Sequence, residues 1–134
     1  MYTKAMKLKW IFVLGLSLFL VSCGSSVDKG SAPIISNISI SPSTFRLNQN
    51  GGSSTSSISF YMVDPDIDLN IIFVTNGTST LEFPFTYSNQ ITQGFVAVSF
   101  PVNTSQIGTR TLEVSCEDKQ GNLSNILTGS LTIN

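Results

Sequence analysis

Histidine is absent from this 134-residue chain, cations are few, and tryptophan occurs once, at Trp10. Without an imidazole, no Ser-His or Cys-His nucleophile pair can be written. Two cysteines, Cys23 and Cys116, are too few for a disulfide framework. Seven Lys and Arg against eight Asp and Glu provide no basic surface, so nucleic acid is not an expected partner. Long apolar runs are also missing. The one continuous stretch, Trp10 through Val21, would span about 18 Å as a helix against a hydrocarbon core of about 30 Å, which disfavours a permanent membrane-spanning segment.

That stretch has the layout of an export signal. Lys4, Lys7 and Lys9 precede it, only Gly15 and Ser17 interrupt it, and it ends in Leu20-Val21-Ser22-Cys23 before Gly24-Ser25-Ser26. The tetrad resembles the lipobox of bacterial lipoproteins. The resemblance implies that residues 1–22 are a signal peptide and that Cys23 becomes the lipidated first residue of the working protein. The membrane is then reached through Cys23, by more than one acyl chain, as stable anchoring requires. In such lipoproteins an Asp after the cysteine favours the inner membrane; Gly24 therefore implies the outer membrane of the cell envelope where the host has one.

Lys4, Lys7 and Lys9 would leave with the signal, so the working chain keeps four cations, Lys29, Arg46, Arg110 and Lys119, against all eight acids, a formal charge of −4. Residues 23–32 are small, polar and without periodicity, and read as a tether. Residues 33–134 read as a single domain, large enough to fold without a disulfide. With Cys23 committed to lipid, Cys116 is left alone. It lies in the alternation Leu112, Val114, Cys116 and is expected to be a buried structural residue.

Period two dominates the domain. Ile34, Ile38 and Ile40 outline a first strand that stops at Pro42 and resumes through Phe45 and Leu47. Residues 48–57 read as a Gly/Ser-rich loop, followed by a second strand at Ile58, Phe60 and Met62. A third strand covers Ile71 to Val74 and ends at Asn76-Gly77. A fourth passes through Leu81, Phe83 and Phe85, with Pro84 marking a sheet edge. The fifth covers residues 95–100, the sixth residues 109–117 and the seventh residues 127–133. Seven short strands at this spacing predict an all-β sandwich. Its expected core is Ile38, Ile40, Ile58, Phe60, Phe73, Val96, Val98, Leu112, Val114, Leu131 and Ile133.

Three passages resemble the immunoglobulin-like or fibronectin-like modules of bacterial surface proteins: Ile38-Ser39-Ile40-Ser41-Pro42, Val63-Asp64-Pro65-Asp66, and Val114 through Asn122. The resemblance implies a seven-stranded immunoglobulin-like sandwich. It departs from antibody-type domains in having no partner for Cys116, no tryptophan in the domain, and Val114 where a tyrosine corner needs Tyr.

Asp64, Asp66 and Asp68 stand at alternate positions, and the resemblance places Glu117 and Asp118 at the same pole. Clustered carboxylates repel unless solvent or a cation compensates them, and hard oxygen ligands suit Ca²⁺. These five are the candidate calcium ligands; the competing reading makes them ordinary turn residues. Tyr61, Phe85 and Tyr87 are a weaker candidate platform for sugar. Together these features point to a non-catalytic, lipid-anchored envelope module for binding or spacing, with a protein or glycan partner. An accessory subunit of an envelope complex is the alternative, and a small carboxylate-dependent hydrolase is disfavoured because the acids share one turn.

Overall fold

The computed structural model describes residues 30–86 and 92–134, which form two β-sheets and no helix. Residues 1–22, Cys23 and the first part of the tether lie outside the described residues. The strands are β1 (Ile34–Ser41), β2 (Thr44–Phe45), β3 (Ser53–Val63), β4 (Leu69–Asn76), β5 (Ser79–Pro84), β6 (Gln93–Asn103), β7 (Gly108–Asp118) and β8 (Leu127–Ile133). One sheet has the order β1-β3-β6 and the other β2-β8-β7-β4-β5. The all-β, two-sheet architecture is the one expected; the strand count of eight is not.

The additional strand arises because the chain changes sheets at Pro42. Proline has no N–H to continue a ladder, and β2 leaves β3 to pair in parallel with β8, Thr44 opposite Thr132 and Phe45 opposite Ile133. Phe45 thus belongs to the other sheet instead of continuing the first strand. β3 also starts earlier than hydrophobicity suggests. Ser53 to Ser57 pair with Asn103 to Ser99, and the Ser57 and Ser99 hydroxyls share a hydrogen bond of 2.7 Å. Hydroxyl residues can occupy the solvent face of a strand, so the Ser/Thr-rich stretch expected to be a loop is largely strand.

The core lies between the sheets, where β3 contributes Ile58, Phe60 and Met62, β6 contributes Val96, Phe100 and Val102, and β7 contributes Leu112, Val114 and Cys116. Ile38, Ile40 and Val98 pack against it half-buried. Two expectations fail on parity. Ile34 is 60 % exposed while Ile35 is buried, because the register shifts between Ser36 and Ser39, where Asn37 adopts φ 56°. One extra residue reverses the faces of all that follow, and asparagine tolerates that left-handed conformation better than most residues. Phe73, expected in the core, lies on the opposite face; Ile72 and Val74 are the buried pair. A second register shift between Leu69 and Ile71 sets this phase. Pro84 does close an edge strand, β5.

Candidate functional site

Three chain segments meet at one pole. β3 ends at Val63, opposite the first residue of β1, Ile34. The turn from Asp64 to Asp68 follows β3, and the segment Asp118 to Asn122 follows β7. The two turns are joined where Lys119 N–H donates to the Asp68 carbonyl at 2.9 Å and Gln120 Nε2 donates to Asp68 Oδ2 at 3.1 Å. The end of the tether arrives at the same place, with Ser31 N–H donating to Asp66 Oδ2.

Each aspartate has its own environment. Asp64 is fully buried, and its Oδ2 accepts the backbone N–H groups of Asp68 at 2.9 Å and Leu69 at 2.8 Å. Those bonds close a turn in which Ile67 is held at φ 57°, a costly conformation for a β-branched side chain. Asp118 is buried too. Its Oδ1 accepts Gln120 N–H and Asn122 N–H, each at 2.8 Å, and its Oδ2 accepts Asn122 Nδ2 at 2.6 Å. Burial alone pushes the Asp118 carboxyl up, but bonds from the Asn122 backbone and side chain, then from Gln120 and Gly121, together hold it below the usual carboxylate range. Asp68 shifts the other way. Burial and then the charges of Asp118, Asp64 and Asp66 raise it, against the lowering effect of Gln120. Its Oδ1 is buried without a hydrogen-bond partner among the described residues.

The pole thus gathers Asp64, Asp66, Asp68 and Asp118. Glu117 alternates with the inward Cys116 and Asp118 and so sits on the outer face of its sheet. Among the described residues, no group of three or more His, Cys, Asp or Glu has an arrangement that could hold a metal ion.

The Asp68 carboxylate is destabilised at neutral pH, and its stability contribution falls as pH rises through its raised pKa. Asp68→Asn keeps an acceptor for Gln120 and should melt higher than the parent at pH 7, with the difference closing as pH falls toward 4. Asp118 acts in the opposite sense: its contribution is present above the ordinary carboxylate pKa and is lost as pH falls through the lowered value. The same melts, run in millimolar Ca²⁺ and in chelator, address calcium. Asp64 and Asp118 already bind backbone donors, which predicts equal midpoints; a calcium-dependent rise abolished by Asp68→Asn would assign the ion to this pole.

Cys116 is the only free cysteine among the described residues and is fully buried. Burial, then the charge of Asp64, pushes its thiol up to about 12, so the thiolate needed for nucleophilic or redox chemistry is suppressed. Sequence reading missed two tethering side chains. Asn125 clamps the start of β1, accepting Ile35 N–H at 2.9 Å and donating to the Ile35 carbonyl at 2.8 Å. Ser124 Oγ accepts Cys116 N–H at 2.9 Å. Both lie in a segment without apolar periodicity, so no pattern marked them.

The two described members of the candidate sugar platform, Tyr61 and Phe85, do not come together. Tyr61 packs edge-to-face on Phe95 with ring centroids 5.2 Å apart, on the outer face of the three-stranded sheet. Phe85 packs against the core, and Tyr87 lies outside the described residues.

The fold is a two-sheet β-sandwich in which Asp64 and Asp118 close turns and Asn125 clamps a strand. No family profile matches the chain, and no curated protein matches it in sequence. Among solved structures, the chain is similar to the PKD domain of an M14-like peptidase from Thermoplasmatales archaeon SCGC AB-540-F20, with a TM-score of 0.54 and 17 % identity over 78 % of this chain and 97 % of that one. It also matches a Niemann-Pick type C2 protein from the Japanese carpenter ant, with a TM-score of 0.47 and 12 % identity over 78 % of this chain and 95 % of that one. The first likeness describes the fold.

Proposed function

We propose that this protein is a lipid-anchored, non-catalytic module of the cell envelope, held through Cys23 and serving to bind or space a protein or glycan partner. The observation that carries the reading is the sequence Leu20-Val21-Ser22-Cys23 and the few residues that separate it from the sandwich. Residues Cys23 to Gly30 reach at most about 27 Å when extended, and Ser31 is then fixed to Asp66 at the acidic pole. A lipid on Cys23 therefore keeps that pole beside the bilayer and turns the opposite pole outward. The acidic surface supplies no attraction to anionic lipid, which leaves the acyl chains as the anchor. Gly24 in place of Asp supports the outer membrane as the location in a host that has two.

Limited trypsin digestion of intact membranes tests the arrangement. Lys29 is the one basic residue between Cys23 and the first strand, and cleavage there should release a folded, soluble domain beginning at Gly30. A domain that remains with the membrane after that cut would require a second attachment and would contradict the single-tether reading.

A further inference from the structure

The outer faces of the two sheets differ in charge. No residue of β1, β3 or β6 is charged, whereas the five-stranded sheet carries Glu82, Glu113 and Glu117 on its outer face. The uncharged face is itself divided along its length. Away from the tether it is rich in hydroxyls, with Ser39, Ser41, Ser57, Ser59 and Ser99. Beside the tether it turns apolar, where Ile34 stands opposite Val63 and Tyr61 stands opposite Phe95.

These four side chains form one patch. Tyr61 and Val63 lie two residues apart on the same face of β3, and Tyr61 packs edge-to-face on Phe95. Phe95 is nonetheless 75 % exposed and Ile34 60 % exposed. Every earlier outer position of β3, from Ser53 to Ser59, is Ser or Thr, so the change to Tyr61 and Val63 is confined to the tether end.

The chain that precedes the patch indicates what covers it. Ile34 follows shortly after Ser31, which is fixed to Asp66, and a lipid on Cys23 lies within reach of the short tether. Short flexible linkers give effective concentrations of about millimolar, so even a weak contact with that bilayer is populated. Exposed apolar and aromatic side chains without charge suit the membrane–water interface, where tyrosine is enriched.

We infer that the tether-end corner of the three-stranded sheet, formed by Ile34, Tyr61, Val63 and Phe95, rests in the interfacial layer of the bilayer that holds Cys23, with the acidic outer face of the other sheet turned to water. The inference rests on the lipid anchor for its partner. Four side chains are too few to hold the domain alone, so release by trypsin after Lys29 is still expected.

The test is made on the chain from residue 23 carrying Phe95→Trp, whose new tryptophan is then the only one. Cys23 is coupled to a maleimide phospholipid in phosphatidylcholine vesicles, while the buried Cys116 stays unreacted. Zwitterionic lipid is the probe because the acidic turn at the same pole is repelled by anionic headgroups. Coupling should shift the emission to the blue, and brominated acyl chains should quench it about threefold more strongly than the tryptophan of Thr111→Trp, on the outer face of the other sheet. Adding Ile34→Asp should cut that quenching to about half, since a carboxylate would have to enter the interface. Equal quenching of the two tryptophans, or an emission maximum that coupling does not move, would overturn the inference. A blue shift of the uncoupled protein that grows with its concentration, together with a dimer in sedimentation, would give the patch to a second copy of the chain and overturn it equally. Coupling supplies the anchor chemically, so failure here is distinguishable from failure of the native lipid on Cys23.

Discussion

Cys23→Ser should move the protein from the membrane fraction to the soluble fraction while its sandwich stays folded. The size of the effect follows from the anchor's energetics. A single fatty chain gives only marginal, reversible attachment, whereas two or more hold a protein stably, each buried methylene contributing about 0.8 kcal/mol. Cleaved after Ser22, the protein would carry four cations against eight acids, and among the described residues no helix is long and apolar enough to cross a membrane. Carbonate extraction followed by immunoblotting of pellet and supernatant checks it, with circular dichroism of the soluble variant confirming the sandwich. A Cys23→Ser protein that is folded, cleaved of its signal and still wholly in the pellet would defeat the lipid anchor.

Asp64→Ala should be the most damaging single substitution at the acidic pole. It removes the acceptor for two backbone N–H groups, those of Asp68 and Leu69, the latter fully buried. Leaving such donors unsatisfied costs about 1–3 kcal/mol apiece, and the turn that holds Ile67 at φ 57° loses its closure. A net loss of about 3 kcal/mol corresponds to a fall in melting midpoint of roughly 12–24 °C for a domain of this size. Asp64→Asn retains an acceptor oxygen and should lose less than half as much. Urea titration of the three proteins reads the difference, and an alanine variant within about 0.5 kcal/mol of the parent would show that the turn closes without this carboxylate.

Much of this fold is written in alternation. β7 and β8 follow their period-two pattern residue by residue, and Cys116 lies in the core where Leu112 and Val114 point it. The failures share physical causes. Bulges at Asn37 and near Asn70 reverse parity without any change in composition, and in Ile71-Ile72-Phe73-Val74 every position is apolar, so hydrophobicity carries no phase. The move of β2 to the other sheet depends on a long-range pairing with Thr132 and Ile133 that no local window contains. At the acidic pole, spacing grouped Asp64, Asp66 and Asp68, and the topology that the resemblance implies added Asp118 and also Glu117, which lies on the outer face of its sheet. They did not distinguish a carboxylate aimed at a ligand from one closing its own turn, because that depends on where backbone N–H groups point.

The central claim is that the sandwich hangs from a lipid on Cys23. Mass spectrometry of the amino-terminal tryptic peptide, taken from membranes of the native host, tests it most directly. The expected species is residues 23–29 with a diacylglyceryl thioether on Cys23 and no residue preceding it. A peptide retaining Ser22, or one that begins at Cys23 with an unmodified thiol, would contradict the account.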